Sequence, residues 1–245
     1  MLVEIKDLTR NYMMGETEVP ALRGVSLAVE RGEFVAIMGP SGSGKSTLMH
    51  LLGCLDRPSS GSYWLDGTAV ERLADDELSR LRNRKVGFVF QSFNLIPQLN
   101  ILENVEVPLI YMGMERSQRE TLCMQMLDAV GLGHRAKHRP NELSGGENQR
   151  VAISRALVTN PDIILADEPT GNLDTRTGHE IMEILKDLNE QGTTILLVTH
   201  EVSKAKWAGR LIHMQDGRIV RELTGTKKEQ LVDLFVDEPN GKGMN

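Results

Sequence analysis

The sequence predicts an α/β fold, a mostly parallel sheet preceded by antiparallel strands and interrupted by a helical insertion. Three observations predict it. The runs Phe34–Met38, 163–166 and, between the threonines of 194–199, 195–198 are continuously apolar, without the alternation of a half-exposed strand. Such runs suit parallel strands covered on both faces. The first ends in a glycine-rich turn, 39–44, and opens onto Leu48, Leu51, Leu52 and Leu55 at helical spacing. Between the first and second runs lies a stretch, about 92–160, whose character is mostly helical.

The elements follow in order. The first thirty residues read as strands, with Val3 and Ile5, then Val25, Leu27 and Val29, alternating with polar neighbours. Tyr63, Trp64 and Leu65 lead into Asp66-Gly67, a hairpin signal. Residues 86–90 form another short apolar strand. Leu122, Met126 and Val130 place one helix over 116–130, stopped by Gly131. Ile153, Ala156 and Leu157 mark a second. Ile181, Ile184, Leu185 and Leu188 make an amphipathic helix, and Asp216-Gly217 turns a final hairpin. One domain over 1–236 with a polar tail at 237–245 is expected.

Composition narrows the function. The chain has 245 residues, 40% hydrophobic and 25% charged, enough apolar sequence to bury a core. Lys plus Arg is 28 and Asp plus Glu is 34, a net charge of −6, so a globally basic nucleic-acid binder is disfavoured. No apolar run reaches the roughly 18 residues of a membrane span. The start, MLVEIKDLTR, has no apolar leader region. Two cysteines, Cys54 and Cys123, at apolar positions of helix-like segments, make no disulfide framework.

The turn itself carries chemistry. Gly39, Pro40, Ser41, Gly42, Ser43, Gly44, Lys45 and Ser46 fit G-x-x-x-x-G-K-[ST]. Glycines let backbone N–H groups converge on phosphate oxygens without a Cβ in the way. The following helix adds its N-terminal dipole. Lys45 can reach the β- and γ-phosphates and Ser46 can ligate Mg²⁺. A chance match in a chain this long is on the order of 1% from average composition.

Asp167-Glu168 follows the apolar run 163–166. Adjacent strand ends in a parallel sheet share one edge, which would set Asp167 beside the phosphate loop to help hold Mg²⁺. Glu168 is then placed to orient and deprotonate an attacking water. A plainer reading is an acidic pair capping the next helix. Ser144-x-x-Glu147 is a capping box, and Gly145 and Gly146 behind the serine can leave N–H groups open to a second anion.

Taken together, GPSGSGKST at 39–47, Gln91, LSGGE at 143–147, IILADEPTGNLD at 163–174 and His200 resemble the ATP-binding subunits of ABC transporters, in family order, over roughly 1–222. The resemblance implies a P-loop NTPase of ABC ATPase type. Its expected architecture is a RecA-like, mostly parallel core with an N-terminal antiparallel β subdomain and an inserted α-helical subdomain. It implies ATP and Mg²⁺ as cofactors and a head-to-tail dimer of two copies with each nucleotide between one phosphate loop and the partner's signature. Carried over, Glu168, His200 and Gln91 are catalytic. Tyr12 stacks on adenine. Residues 39–47, Thr47 included, hold the phosphates. Ser144, Gly145 and Gly146 contact the nucleotide of the other copy, and Asp174 lies at the dimer seam. Ser46, Gln91 and Asp167 serve the metal. Singly, Gln91 and His200 also read as polar strand ends, and Tyr12 as a core tyrosine.

The stretches LLGCLD at 51–56, 100–107 and LADEPTGNLD at 165–174 look like the macrolide-exporter and lipoprotein-release branch. That branch pairs with a separate four-helix permease bearing an extracytoplasmic domain, in some members with a periplasmic adaptor. It places the subunit peripherally on the cytoplasmic face of the inner membrane. Its cell-division relatives instead transmit force to periplasmic hydrolases without transport. DNA-repair ABC ATPases carry coiled coils or zinc modules, and neither heptads nor C-x-x-C occurs here. A P-loop kinase would lack the signature. One departure from the usual signature is Asn148, within Glu147-Asn148-Gln149. The segment 91–104, with Phe93, Leu95, Ile96, Leu99, Ile101 and Leu102, fits no single period and is expected to meet the permease through Leu95 or Leu99.

Overall fold

The computed structural model describes residues 1–225; the last part of the expected domain and the 237–245 tail lie outside them. A six-stranded sheet forms the centre. Its strands are β3 (Phe34–Met38), β6 (Val86–Phe90), β7 (Ile163–Asp167), β8 (Thr194–Val198), β9 (Arg210–Gln215) and β10 (Arg218–Thr224), in the order β10-β9-β3-β8-β7-β6. All pairs are parallel except the β9–β10 hairpin. A second, antiparallel sheet, β2-β1-β4-β5, is built from β1 (Val3–Met14), β2 (Thr17–Val29), β4 (Ser60–Leu65) and β5 (Thr68–Ala69).

The continuous apolar runs are explained by two cores, one on each face of the parallel sheet. In β3, Val35 and Ile37 join the cluster under the antiparallel sheet, with Leu8, Leu22 and Leu48. Phe34, Ala36 and Met38 join the opposite cluster, with Ile181, Met182 and Leu185. Period two therefore sends every residue into a core, and no polar position is tolerated. Here α1 is Lys45–Leu52 and the amphipathic helix α6 is Thr175–Glu190.

The helical insertion has its own core. Helices α3 (Ile101–Tyr111), α4 (Arg116–Ala129) and α5 (Gly145–Leu157) enclose Val105, Leu109, Cys123, Leu127 and Val151. Three local features depart from expectation. Residues 101–111 are helical, because Asn100 and Glu103 form a capping box that overrides the irregular apolar pattern and the internal Pro108. Helix α2 (Asp75–Lys85), hidden by its polarity, has acids in its first turn and Arg82, Arg84 and Lys85 in its last, matching the helix dipole. Helix α1 stops at Leu52, so Cys54 sits in a turn at φ 55° and Leu55 is exposed.

Candidate functional site

The phosphate loop leaves the C-terminal edge of β3 and ends in α1. Its shape needs glycine: Gly44 has φ 97°, and a Cβ there would lie 2.7 Å from the Ala21 carbonyl. The turn of the final hairpin presses on the same loop, with Gly217 N–H donating to Ser43 O at 3.1 Å. Lys45 is buried, and its ammonium donates to the Gly39 and Pro40 carbonyls at 2.8 Å each. Desolvation lowers its pKa, against the charges of Glu168 and Asp167.

Register brings the remaining strand ends to this edge. Phe90 pairs with Asp167, and Asp167 with Val198. Gln91, Glu168 and His200 therefore all leave the sheet at the same edge as the loop, with Glu168 and His200 lining its pocket. Glu168 is held at φ 43° with its N–H bonded to Val198 O at 2.9 Å. Its Oε1 lies 2.9 Å from His200 Nδ1. An ionised carboxylate only accepts, which assigns the proton to Nδ1. A pocket of about 410 Å³ is lined by residues 41–47, Ala21, Glu168 and His200.

Asp167 is half-buried at the end of β7. Burial raises its pKa, Glu168 raises it further, and His50 and Lys45 oppose. A desolvated carboxylate and the Ser46 hydroxyl are hard oxygen donors, the set that suits Mg²⁺ with retained waters. Among the described residues no cluster of three or more His, Cys, Asp or Glu could hold a metal.

Other expected site residues lie apart from this pocket. Ser144 caps α5, its N–H and Oγ both 2.8 Å from Glu147 Oε2. Ser144 does not line the phosphate pocket of its own chain. Gly145 and Gly146 have a packing reason: Cβ atoms would meet Leu173 and Thr177 side chains. Gly146 is buried by that contact, so the pair is less open than its sequence suggests. Asp174 caps α6, Oδ1 accepting from Arg176 and Thr177 N–H groups. Gln91 turns toward Asn172: its Nε2 is 3.4 Å from Asn172 Oδ1, and Asn172 Nδ2 donates to Gln91 O at 3.0 Å. Tyr12 is pinned through its hydroxyl to Asp56 Oδ2 at 2.9 Å, with the Arg10 guanidinium 4.6 Å from its ring centre.

Sequence reasoning missed three polar residues here. Arg155 of α5 donates to the Phe93 and Asn94 carbonyls, in a turn where both have positive φ. Asn172 and the buried Gln149 also bind backbone. What distinguishes them is a hydrogen bond to backbone distant in sequence, and no period reports that for a polar side chain. Asn148 acts locally, where its Nδ2 donates to Pro140 O at 2.9 Å and braces the turn before Ser144.

Comparison with known proteins decides the family. The family model described as ABC transporter matches residues 22–171. This chain belongs to the ABC transporter ATP-binding family. It is 53% identical over 218 residues to an uncharacterised ABC transporter ATP-binding protein of Thermotoga maritima, covering 89% of this chain and 93% of that protein. It is 52% identical over 240 residues to the macrolide export ATP-binding/permease protein MacB of Chlorobaculum tepidum, covering 98% of this chain but 36% of that protein. The chain thus spans about a third of the MacB relative's length. The dimeric post-hydrolysis structure of the cassette MJ0796 bound to ADP and Pi superposes with TM-score 0.84 at 49% identity, covering 91% and 98% of the two chains. MJ0796 is from Methanocaldococcus jannaschii. The protein is an ATP-binding cassette ATPase subunit with the expected α/β architecture.

Proposed function

We propose that two copies of this chain close head to tail on two ATP molecules, and that hydrolysis drives a separate membrane permease of the macrolide-exporter and lipoprotein-release kind. The observation that carries this reading is a division of labour. Residues 41–47, Glu168 and His200 share one pocket, while Ser144, on the far helical insertion, lines no part of it. A site needing the signature is therefore completed by another copy. The dimeric structures of MJ0796 support it.

In that site the loop amides and Lys45 bind the phosphates, and Ser46 and Asp167 would hold Mg²⁺. Bound there, the ion would supply charge neutralisation on the phosphate oxygens. Glu168 takes a proton from water, and His200 orients the Glu168 carboxylate. Gln91 joins this set only after releasing Asn172.

The permease-facing surface is a second groove, of about 830 Å³, between α2, β6 and α3. Phe88 and Phe90 stack in it at 5.4 Å, and Leu55, Tyr111 and Met112 line its exposed apolar wall. Arg80 and Arg84 flank it, and among the described residues no acidic side chain lines it. A short amphipathic helix bearing carboxylates fits that chemistry. The subunit then sits on the cytoplasmic face of the inner membrane; among the described residues no helix is long and apolar enough to cross it. A periplasmic adaptor completes an export complex. The deciding experiment is reconstitution of the chain with its cognate permease in vesicles. Hydrolysis that rises with the permease and scales with the square of chain concentration supports the reading. Hydrolysis first order in isolated chain sinks the two-copy site.

A further inference from the structure

Gln149, in the second turn of α5, is wholly buried, yet its amide is only half used. Nε2 donates to Pro169 O at 2.7 Å and to Phe90 O at 3.3 Å. Oε1 is buried with no hydrogen-bond partner among the described residues. Flipping the amide would set the oxygen against two carbonyls, so the orientation is fixed. A methionine would fill the same volume without the orphaned Oε1, but would take the Nε2 donor from the Pro169 and Phe90 carbonyls. The geometry shows what the amide does instead. Phe90 immediately precedes Gln91, and Pro169 immediately follows Glu168. Phe90 and Asp167 are paired across β6 and β7, so one donor grips both strand ends where they enter the site. The same helix begins at the Ser144 cap.

We propose that Gln149 is a positioning residue that ties the helix headed by Ser144 to the backbone beside Gln91 and Glu168, so that engagement of Ser144 by a second copy sets both catalytic side chains. The proposal rests on the two-copy reading above. Motion of α5 reaches the backbone beside Gln91 and Glu168 through the buried Gln149 amide, in addition to the packing of Ile153 and Ala156 with Val89 of β6. Gln91 is held in turn by Asn172, two residues before Asp174.

The test is Gln149→Met, with Gln149→Leu as a second filling of the volume, in the full chain. Steady-state ATPase, ATP affinity of the monomer and thermal midpoint are read together. The expected result is a kcat at least about tenfold lower, since small misplacements of reacting groups cost up to about 10²-fold. KM and monomer affinity for ATP stay within about twofold, and the midpoint moves by no more than a few degrees, because the lost Nε2 bonds are offset by removal of the orphaned Oε1. A parent-like kcat in both variants overturns the proposal. So does a fall in activity matched by a fall in midpoint, which would mark Gln149 as packing only. The order of the parent reaction in chain concentration separates the two readings. First-order parent hydrolysis removes the two-copy site, whereas second-order hydrolysis with normal variants removes only the role of Gln149.

Discussion

His200 Nδ1 lies 2.9 Å from Glu168 Oε1, across the ends of two neighbouring parallel strands. The pair is placed by backbone: Glu168 N–H is bonded to Val198 O, two residues before His200. Glu168→Gln keeps the shape and removes the proton acceptor. Hydrolysis should fall at least about 10²-fold while ATP still binds, and the ATP-bound dimer should accumulate on size exclusion. Hydrolysis at the parent rate would remove Glu168 from its role. His200→Ala should leave ATP affinity within a few-fold and lower kcat.

Ser144→Arg tests the second copy's contribution. The change removes a helix cap, costing about 1 kcal/mol, so the thermal midpoint should drop by only a few degrees. Monomer affinity for ATP should match the parent, because Ser144 lines no part of its own pocket. Hydrolysis should be abolished. An affinity loss equal to that of Lys45→Ala would put Ser144 in its own subunit's site.

The stacking of adenine on Tyr12 that the family resemblance implies would use a ring that is already fixed. Asp56 accepts from its hydroxyl and also pairs with Arg10 at 2.8 Å, while Arg10 lies over the ring. Base stacking on an aromatic contributes about 1–3 kcal/mol. Tyr12→Ala should therefore weaken ATP binding about 5-fold or more, and Asp56→Ala should weaken it less. Neither should alter affinity for inorganic triphosphate, which has no base. Equal loss for both ligands would refute stacking.

Far from the site, Arg31 and Lys85 bridge Asp66 and Asp162. Bonds from Lys85 and Arg31 lower the Asp66 pKa. Burial raises that of Asp162, but bonds from the same cations outweigh it. Carboxylates depressed in the fold stabilise it above their unfolded value, about 3.9, and lose that contribution as pH falls through the folded value. Urea unfolding should show stability falling below about pH 4. The Asp66→Asn, Asp162→Asn double variant should be less stable at pH 6 and flatter in the acid range. An unchanged slope would exclude the network as a source of acid lability. Burial raises the Cys54 and Cys123 thiols to about 11 and about 12, so neither contributes near neutrality.

What the sequence could show depended on the kind of signal. The strands of the parallel sheet were legible because burial on both faces leaves no polar position, as β3 and β8 show. The phosphate loop was legible because only a few residue types fit its geometry. Helix α2 was not, since one buried leucine, Leu78, leaves no apolar stripe to count. The placement of Gln91 against Asn172 was also hidden. Two amides 81 residues apart carry no mutual pattern until β6 and β7 pair. The gripping roles of Gln149 and Arg155 were hidden for the same reason.

The surface proposed to meet the permease follows from packing. Leu95 packs against the core of the helical insertion, and Asn104 ties down the loop through the Ile96, Leu99 and Asn100 carbonyls. Leu95→Asp would put a charge against that core and destabilise the fold, so it cannot report coupling alone. Ile96 is the exposed member of the segment. The groove beside it offers cleaner positions. Tyr111 is 81% exposed, so Tyr111→Asp removes apolar surface at little cost to folding. Arg80 and Arg84 are exposed and four residues apart on α2, where like charges repel by a few tenths of a kcal/mol. Arg80→Glu with Arg84→Glu keeps that repulsion and places a carboxylate in the last turn of α2, so the midpoint should fall by a few degrees at most while the ATPase of the isolated chain stays near the parent value. Co-purification with the permease should fall at least about tenfold for the charge reversal and for Tyr111→Asp. A paired Arg80→Lys, Arg84→Lys variant should keep most of the association, because charge rather than fork geometry is what the reading requires. If the charge reversal binds the permease and supports its stimulation of hydrolysis like the parent, the permease docks elsewhere.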